Sequence, residues 1–260
     1  MLAALAEWRV ADLHDVVRDC DAYLRVREIA DYPNALNGLQ LENSGCVAKI
    51  AAAVDFSTRA LETAATLGAN LLIVHHGMFW SGLRPVTNAW RRQLKLALDN
   101  DIAVYSVHLP LDVHPIIGNN VLLMRALGIG NSEPFFEEKN LLLGRRAHVD
   151  ISLAELVQRL GKSVGGEVHC TAGGPDRCRE IGVITGGGGG EVERVAGEGI
   201  DTFITGEAPH WAAIAAHELG VNLLLGGHYA TETFGVKALA AYLAERFALE
   251  YEFLELPTRL

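Results

Sequence analysis

The 260-residue sequence lacks the features that mark several large classes of protein. It has no cluster of lysine and arginine, and its formal net charge of -10 argues against binding to a nucleic-acid backbone, which depends on clustered basic side chains. No apolar run approaches the roughly 18 residues that a membrane span needs, and residues 1–10 lack the basic and apolar segments of an export signal. We therefore expect a cytoplasmic protein that does not bind a membrane.

Cysteine is scarce, and its spacing is not that of a metal or redox motif. Of the four cysteines, only Cys170 and Cys178 are near one another, and the seven residues between them match no CxxC pattern. We expect free thiols in a reducing compartment. With 50% hydrophobic and 21% charged residues, the chain has enough apolar material for one large or two modest domains without long disordered tails.

A run of four aliphatic residues followed by two histidines is the most informative stretch of the sequence. Residues 71–74 (Leu-Leu-Ile-Val) are typical of a buried parallel strand, and His75 and His76 stand where that strand should end. Ligands of open α/β sheets bind at such ends. Adjacent strand residues point to opposite faces, so the two imidazoles converge only if the chain turns, which Gly77 permits. A pair of divalent metal ions fits this arrangement; alternatively, the histidines are polar residues that cap the strand.

Strands and helices alternate along the rest of the chain, which predicts the α/β class with mostly parallel sheets built from βαβ units. A helix is expected to open the chain over residues 12–30, and Pro134 marks a linker. The other predicted strands cover residues 48–54, 102–107, 141–149, 167–171, 180–185, 202–205, 221–225 and 249–254. The other predicted helices cover residues 57–68, 88–99, 119–128, 191–197 and 209–219, with one beginning at Ser152 and one ending near residue 247.

Two further strand ends carry the same side-chain chemistry as the first. His108 lies four residues before Asp112, and His228 lies four residues before Glu232 at the start of a predicted helix, where this spacing places both side chains on one face. Imidazole and carboxylate without cysteine favour Zn, Mn, Fe, Co or Ni, and so many ligands exceed the needs of one tetrahedral zinc. Two ions per chain, with open positions for water, fit better. Alternatively, each residue only bonds backbone groups at its strand end.

A two-unit organisation would bring these residues to one site. About 110 residues of separate βαβ pattern lie between Asp112 and His228. We therefore predict a first α/β domain of residues 1–126 and 222–260 that carries the metal ligands, with a second α/β domain of residues 127–221 inserted into it.

Four other features each admit two interpretations. The glycines at 186–190 could cradle a phosphate or form a flexible turn. Glu207 could donate a proton or bond the first turn of the next helix. His108 could transfer the proton that hydrolysis releases or serve as a metal ligand. Trp80 and Phe79 could wall an apolar pocket or simply pack.

The same residues carry a family resemblance. The chain resembles the YbgI or Nif-three-like family through six motifs in the family's order: Asn37-Gly38-Leu39-Gln40, His75-His76-Gly77, residues 106–112 (Ser-Val-His-Leu-Pro-Leu-Asp), Gly118-Asn119-Asn120, Thr205-Gly206-Glu207 and residues 227–232 (Gly-His-Tyr-Ala-Thr-Glu). This resemblance implies a two-domain α/β subunit, a dinuclear metal centre between the domains and a ring-shaped homohexamer. The ligands it implies are His75, His76, Asp112, His228 and Glu232, with His108 beside them.

The expected function is metal-dependent hydrolysis of a small nucleotide-like substrate, because paired divalent ions activate water and polarise the bond that is cleaved. Family members are known as type 2 homologues of GTP cyclohydrolase I, which implies opening of a guanine imidazole ring. A phosphoesterase or an amidohydrolase would use the same metals. The rival hypothesis is a non-catalytic metal-binding ring protein that serves as an interaction, storage or regulatory platform.

Overall fold

The computed structural model describes residues 10–258, which form an α/β protein as predicted. Its strands are, in chain order, β1 (Ala11–Asp12), β2 (Gly38–Leu41), β3 (Cys46–Val47), β4 (Lys49–Asp55), β5 (Leu71–His76), β6 (Ala103–Ser106), β7 (Glu133–Glu138), β8 (Leu141–Ser152), β9 (His169–Ala172), β10 (Arg177–Ile184), β11 (Thr202–Thr205), β12 (Asn222–Leu225) and β13 (Glu250–Phe253). Its helices are α1 (Leu13–Leu24), α2 (Thr58–Thr66), α3 (Asn88–Asp99), α4 (Leu109–Asp112), α5 (Asn119–Ala126), α6 (Leu153–Val164), α7 (Val192–Gly197), α8 (His210–Leu219), α9 (His228–Thr231) and α10 (Thr233–Phe247).

The chain divides into two compact units whose boundaries differ from those predicted. The first unit comprises residues 10–110 and Val236–Leu256, and the second comprises Leu111–Gly235 with residues 257 and 258. Residues 222–235 were assigned to the first domain from the sequence. They lie in the second unit because β12 pairs there with β11 and β9. Residues 111–126, also assigned to the first domain from the sequence, lie in the second unit as well, so Asp112, His228 and Glu232 all belong to it.

The first unit is built on a five-stranded sheet in the order β13-β4-β5-β6-β2. Its pairs are parallel except that of β2 with β6, so the expectation of a mostly parallel sheet is confirmed here. β5 is buried along its whole length, as its aliphatic sequence predicts. The register sets Asp55 of β4 beside His76 of β5, and Val74 beside Ser106 of β6. The carboxyl ends of these strands therefore meet at one edge.

Two helices cover one face of this sheet. α2 begins where the predicted cap stands, since the Ser57 hydroxyl accepts a hydrogen bond from the Ala60 N–H at 3.1 Å. Buried side chains of α2 and α3 pack with alternate residues of β4, β5 and β6 in one hydrophobic cluster. This packing holds the strands whose ends carry the histidines.

The second unit contains a six-stranded mixed sheet in the order β7-β8-β10-β11-β12-β9. β10, β11 and β12 run parallel, whereas the pairs β7 with β8, β8 with β10 and β12 with β9 are antiparallel. The prediction of a mostly parallel sheet is wrong for this unit. The predicted linker at Pro134 is in fact part of the edge strand β7. Proline is tolerated on an edge strand, because one side of that strand has no neighbour to which an N–H would donate.

Two local predictions were also wrong. α1 ends at Leu24 rather than near residue 30, because Arg25 adopts a left-handed conformation with φ 55°. A proline disfavours a helical conformation for the residue before it, which predicts an extended or turned backbone at Leu109 and Pro110. These two residues nevertheless open the short helix α4. A proline is tolerated there because the first turn of a helix leaves its N–H groups without helical partners.

Two expectations about composition can be compared with the structure. Within residues 10–258, no helix combines the length and the apolar character that crossing a membrane requires. The four cysteines are free thiols, as predicted: Cys20 and Cys178 are buried, whereas Cys46 and Cys170 are exposed.

Candidate metal centre

Three histidines of the first unit form a compact group of potential metal ligands. One ring nitrogen from each of His75, His76 and His108 lies within 4.8 Å of the others, and all three residues are buried. His75 and His76 are the last two residues of β5, with ring centroids 4.9 Å apart, and the chain turns directly after them, as predicted. A Cβ atom at Gly77 would overlap the Gln40 side chain, so the chain can turn this closely only at a glycine.

The three imidazoles are oriented in the same way, each through its Nδ1 atom. Nδ1 of His75 lies 2.8 Å from the Val107 carbonyl oxygen, that of His76 lies 2.8 Å from Oδ1 of Asp55, and that of His108 lies 2.9 Å from Oδ1 of Asp31. A carbonyl or carboxylate oxygen can only accept, so Nδ1 carries the proton and Nε2 carries the lone pair. In metal-binding histidines, the ring nitrogen that does not bind the metal commonly donates a hydrogen bond of this kind.

Asp31 is a partner of the histidine group that sequence reasoning missed. Its buried carboxylate also accepts hydrogen bonds from the Leu109 N–H at 2.8 Å, the Asn37 amide at 2.8 Å and the Tyr32 N–H at 2.6 Å. Burial raises the pKa of this carboxyl. The hydrogen bond and charge of His108 and the hydrogen bonds from Asn37 and the Tyr32 N–H have a larger, opposite effect, so the pKa is lowered. Asp31 is therefore an ionised acceptor for His108.

The Asn37-Gly38-Leu39-Gln40 motif holds the backbone turns that follow the histidine-bearing strands. Oδ1 of Asn37 accepts from the His108 N–H at 2.8 Å, and Oε1 of Gln40 accepts from the Met78 N–H at 2.7 Å. The Gln40 amide in turn donates to the carbonyl oxygens of Ala35 and Leu36. The motif thus fixes the donors without itself offering a ligand.

The second unit carries a different donor set at the start of α9. Nε2 of His228 lies 3.1 Å from Oε2 of Glu232, which confirms that the i, i+4 spacing brings the two side chains together. Nδ1 of His228 lies 2.9 Å from Oε1 of Glu207. Burial lowers the pKa of His228, but the hydrogen bonds and charges of Glu232 and Glu207 raise it to about 9. Glu207 therefore lies behind the imidazole and orients it.

Gly186, the first residue of the glycine run, packs against these donors. The Gly186 N–H donates to Oγ1 of Thr231 at 3.0 Å, and its carbonyl accepts from the N–H groups of Gly206 and Glu207. A Cβ atom at Gly186, where φ is +68°, would overlap the Glu232 carboxylate. The close approach of Glu232 therefore explains why residue 186 is a glycine. The sequence suggested only a phosphate cradle or a flexible turn.

Asp112 is held by the asparagine that follows Gly118. Nδ2 of Asn119 donates to Oδ1 of Asp112 at 2.8 Å, and Oδ1 of Asn119 accepts from the Gly235 N–H at 2.7 Å. Asn119 is fully buried, and Asp112 nearly so. One carboxylate oxygen of Asp112 is thus fixed by an amide, and this hydrogen bond orients the other.

The chemistry of both donor sets fits a borderline divalent ion. Zinc, manganese and iron accept imidazole and carboxylate ligands, and the described donor groups contain no cysteine. The first unit offers three imidazole nitrogens, which is the minimum that a catalytic site with open positions requires. The second unit offers His228 and Glu232 together and Asp112 on a separate support.

Comparison with known proteins identifies the class to which this chain belongs. The sequence matches the family model described as Duf34/NIF3 (NGG1p interacting factor 3) over residues 11–259, so the chain is a member of that family. It is 37% identical over 249 residues to the "GTP cyclohydrolase 1 type 2 homolog" of Deinococcus radiodurans, covering 95% of this chain and 94% of that protein. The Pseudomonas aeruginosa protein of the same name is 38% identical over 250 residues, covering 94% and 97%.

Solved structures show the same fold. TTHA1606 from Thermus thermophilus superposes with a TM-score of 0.89 at 37% sequence identity, covering 96% of this chain and all of that one. The protein ybgI, described as of unknown function, gives a TM-score of 0.88 at 34% identity with the same coverage. The family predicted from the sequence is thereby confirmed.

Proposed function

We propose that this protein is a dinuclear metal-dependent hydrolase that acts on a small nucleotide-like substrate. The observation that carries the proposal is the shared orientation of His75, His76 and His108, whose Nδ1 atoms all face an oxygen acceptor. Such an arrangement directs each Nε2 lone pair toward a metal. The names of the relatives from Deinococcus radiodurans and Pseudomonas aeruginosa support a nucleotide-like substrate.

The proposed ligands are the five side chains that the family resemblance implies. His75, His76, Asp112, His228 and Glu232 would hold two divalent ions of the group Zn, Mn, Fe, Co or Ni. When bound, such ions act as Lewis acids and lower the pKa of water to about 7. The chain's own residues then have to orient the ligands, which Asp55, Glu207 and Asn119 do through the hydrogen bonds described above.

His108 is assigned to proton transfer. Its Nδ1 proton is held by Asp31, an ionised carboxylate, which stabilises a positive charge on the imidazole when Nε2 takes up a proton. The His108→Ala variant should keep both ions and lose about 10²- to 10⁴-fold in kcat. Loss of one metal equivalent in this variant would make His108 a ligand instead, an assignment that its place beside His75 and His76 also allows.

Metal stoichiometry tests the dinuclear part of the proposal. The full chain is stripped with a chelator, reloaded with zinc or manganese and analysed for metal content. We expect about two ions per chain, and fewer in a His75→Ala, His228→Ala double variant. Saturation at one ion, or full stoichiometry in the double variant, would contradict it.

Turnover tests the hydrolase part separately. The reloaded protein is screened against nucleotides and phosphoesters, with the metal-depleted double variant as the matched control. Product released by the wild type and not by the variant supports hydrolysis. Two bound ions without turnover on any substrate would favour the non-catalytic metal-binding platform.

We also propose a homohexameric ring, which family membership supports. The expected result in light scattering is a particle of about six times the 28.1 kDa chain mass. A monomer or dimer at micromolar concentration would contradict this.

A further inference from the structure

An exposed tryptophan contacts two of the three histidines in the first unit. The Trp80 indole lies 4.6 Å, centroid to centroid, from the rings of both His76 and His108, at interplanar angles of 42° and 64°. Although it packs on two buried residues, 37% of Trp80 remains accessible. An aromatic surface therefore lies directly beside the imidazole group.

The neighbouring aromatic residue behaves differently. Phe79 packs into the hydrophobic cluster of the first unit, with its ring 6.1 Å from that of Trp90. The turn that separates the two side chains is fixed by hydrogen bonds from the Trp80 N–H to the Gly77 carbonyl and from the Gly82 N–H to the Phe79 carbonyl. The exposure of Trp80 is therefore set by a defined turn.

A second exposed aromatic ring borders the same imidazole. Tyr32 is 45% accessible, and its ring lies 6.1 Å from that of His108. Its backbone N–H donates to Asp31, the residue that holds His108. Two accessible aromatic rings thus adjoin one histidine of the donor group.

We propose that Trp80, assisted by Tyr32, is a stacking platform for a planar heteroaromatic ring of the substrate, such as the base of a nucleotide. This inference rests on the proposed function and specifies its substrate class. Aromatic side chains bind such rings through their π faces, and they tolerate different bases because every base has a π face. Trp80 would thereby place the ring beside the imidazole donors, which makes it a specificity-determining residue.

The test measures binding to the metal-loaded full chain and does not need turnover. Guanosine monophosphate and ribose 5-phosphate share a sugar and a phosphate, but only the first has a base. Calorimetry should show that Trp80→Leu weakens binding of guanosine monophosphate by about 5- to 150-fold, the effect expected for loss of one stacked base. Binding of ribose 5-phosphate should be unchanged, and Trp80→Phe should retain most of the affinity.

A matched control separates this effect from a general loss of surface tryptophan. Trp211 of α8 in the second unit is 47% accessible, and Trp211→Leu should leave both affinities unchanged. Tyr32→Leu should weaken binding of guanosine monophosphate less than Trp80→Leu does. Metal content is measured for each variant. If Trp80→Leu loses metal, the tryptophan fluorescence of the wild type and of Trp80→Phe is compared instead. Guanosine monophosphate should quench the wild-type emission and leave that of Trp80→Phe unchanged.

The outcomes distinguish this inference from the proposed function. Equal affinity of wild type and Trp80→Leu for guanosine monophosphate, no quenching of Trp80, or no binding of the base-containing ligand would overturn the platform even if hydrolysis were found. Base-dependent binding that requires Trp80 would support it even if the turnover screen were negative. A change in oligomeric state with unaltered ligand affinity would show that Trp80 serves an interface instead.

Discussion

The two donor sets use different chemistry and are held in place in different ways. In the first unit, His75, His76 and His108 are buried imidazoles; the first two end β5 and the third follows the adjacent parallel strand β6, so the strand register sets their spacing. In the second unit, His228 and Glu232 combine an imidazole with a carboxylate on one helical turn, against which a glycine packs closely.

The difference shows how burial constrains a donor. A neutral imidazole can be buried if one nitrogen has a hydrogen-bond acceptor, whereas a buried carboxylate needs several donors or a positive partner. Glu232 has the His228 imidazole as such a partner. We therefore expect the two sets to respond differently to substitution.

The largest expected effect is loss of ions on removal of ligands. The His228→Ala, Glu232→Gln double variant should keep about one ion per chain, because three of the proposed ligands remain, namely His75, His76 and Asp112. The His75→Ala, His76→Ala double variant should bind less than one, because His228 is then the only imidazole among the remaining proposed ligands. Elemental analysis checks both. The reverse order of retention would mean that the second unit dominates binding.

Both double variants should still unfold cooperatively in the metal-free form, since the hydrophobic clusters of each unit do not include these side chains. Loss of cooperative unfolding in the metal-free wild type would show instead that the metal is structural.

A smaller effect is expected from the residues that hold the imidazoles. Asp55→Asn should weaken zinc binding by about 10- to 100-fold, because Asp55 is the acceptor of the proposed ligand His76. Glu207→Gln should have a weaker effect, since half of the Glu207 side chain is accessible to water. Asp31→Asn should leave zinc binding unchanged, because its partner His108 is assigned to proton transfer. Competition with a chromogenic chelator measures all three affinities.

The matched control for these variants is Glu180→Gln. Glu180 also accepts a hydrogen bond from a histidine, with His148 Nδ1 at 2.7 Å, but it belongs to neither donor set. Zinc affinity should not change in this variant. An equal loss in all four variants would indicate a general electrostatic effect.

Next in size is the effect of a methyl group at Gly186. Gly186→Ala and Gly165→Ala both place alanine at a left-handed residue, with φ +68° and +67°, which should reduce the free energy of unfolding by about 1–2 kcal/mol in each case. Only Gly186→Ala should also weaken metal binding, because Gly165 has open space where its Cβ would lie and Gly186 faces Glu232. Urea unfolding and metal titration measure the two effects, and equal metal affinity would contradict the packing role.

The smallest expected effect depends on pH. Hydrogen bonds from His148 and Arg146 lower the pKa of Glu180 below its ordinary value, so its stabilising contribution is present above about pH 4.5 and is lost as the pH falls below that value. Because the group is partly exposed, Glu180→Gln should cost only about 0.2–1 kcal/mol at pH 7. Urea unfolding should show the difference shrinking toward pH 3, and a constant difference would exclude the carboxylate charge as its cause.

Local sequence patterns predicted the elements that carry the donors. β11 (Thr202–Thr205) and α3 (Asn88–Asp99) have the predicted bounds, and β5 extends two residues beyond its aliphatic run to include both histidines. An aliphatic run and a helical period are visible within one segment, so they need no knowledge of tertiary contacts.

Hydrogen-bond partners and strand pairings between residues far apart in the sequence could not be predicted. Asp31 lies 77 residues before His108 in a stretch without regular periodicity, and nothing in the sequence indicates that its carboxylate holds an imidazole. The antiparallel pairing of β8 with β10 was missed for a similar reason: alternation marks a strand but does not identify its partner. Asn119 belonged to a recognised motif, yet its partner Gly235 is 116 residues away.

The discontinuity of the first unit has a consequence for folding during synthesis. β13 pairs with β4 at one edge of the sheet, although Pro110 and Val236 are separated by the entire length of the second unit. At roughly 5–20 residues per second, a ribosome needs about 7–30 s to progress from residue 110 to β13, and throughout that time the β4 edge lacks its partner strand. An unpaired edge of this kind invites association with other chains. The nascent first unit is therefore most exposed to aggregation, and most in need of a chaperone, while the second unit is being translated.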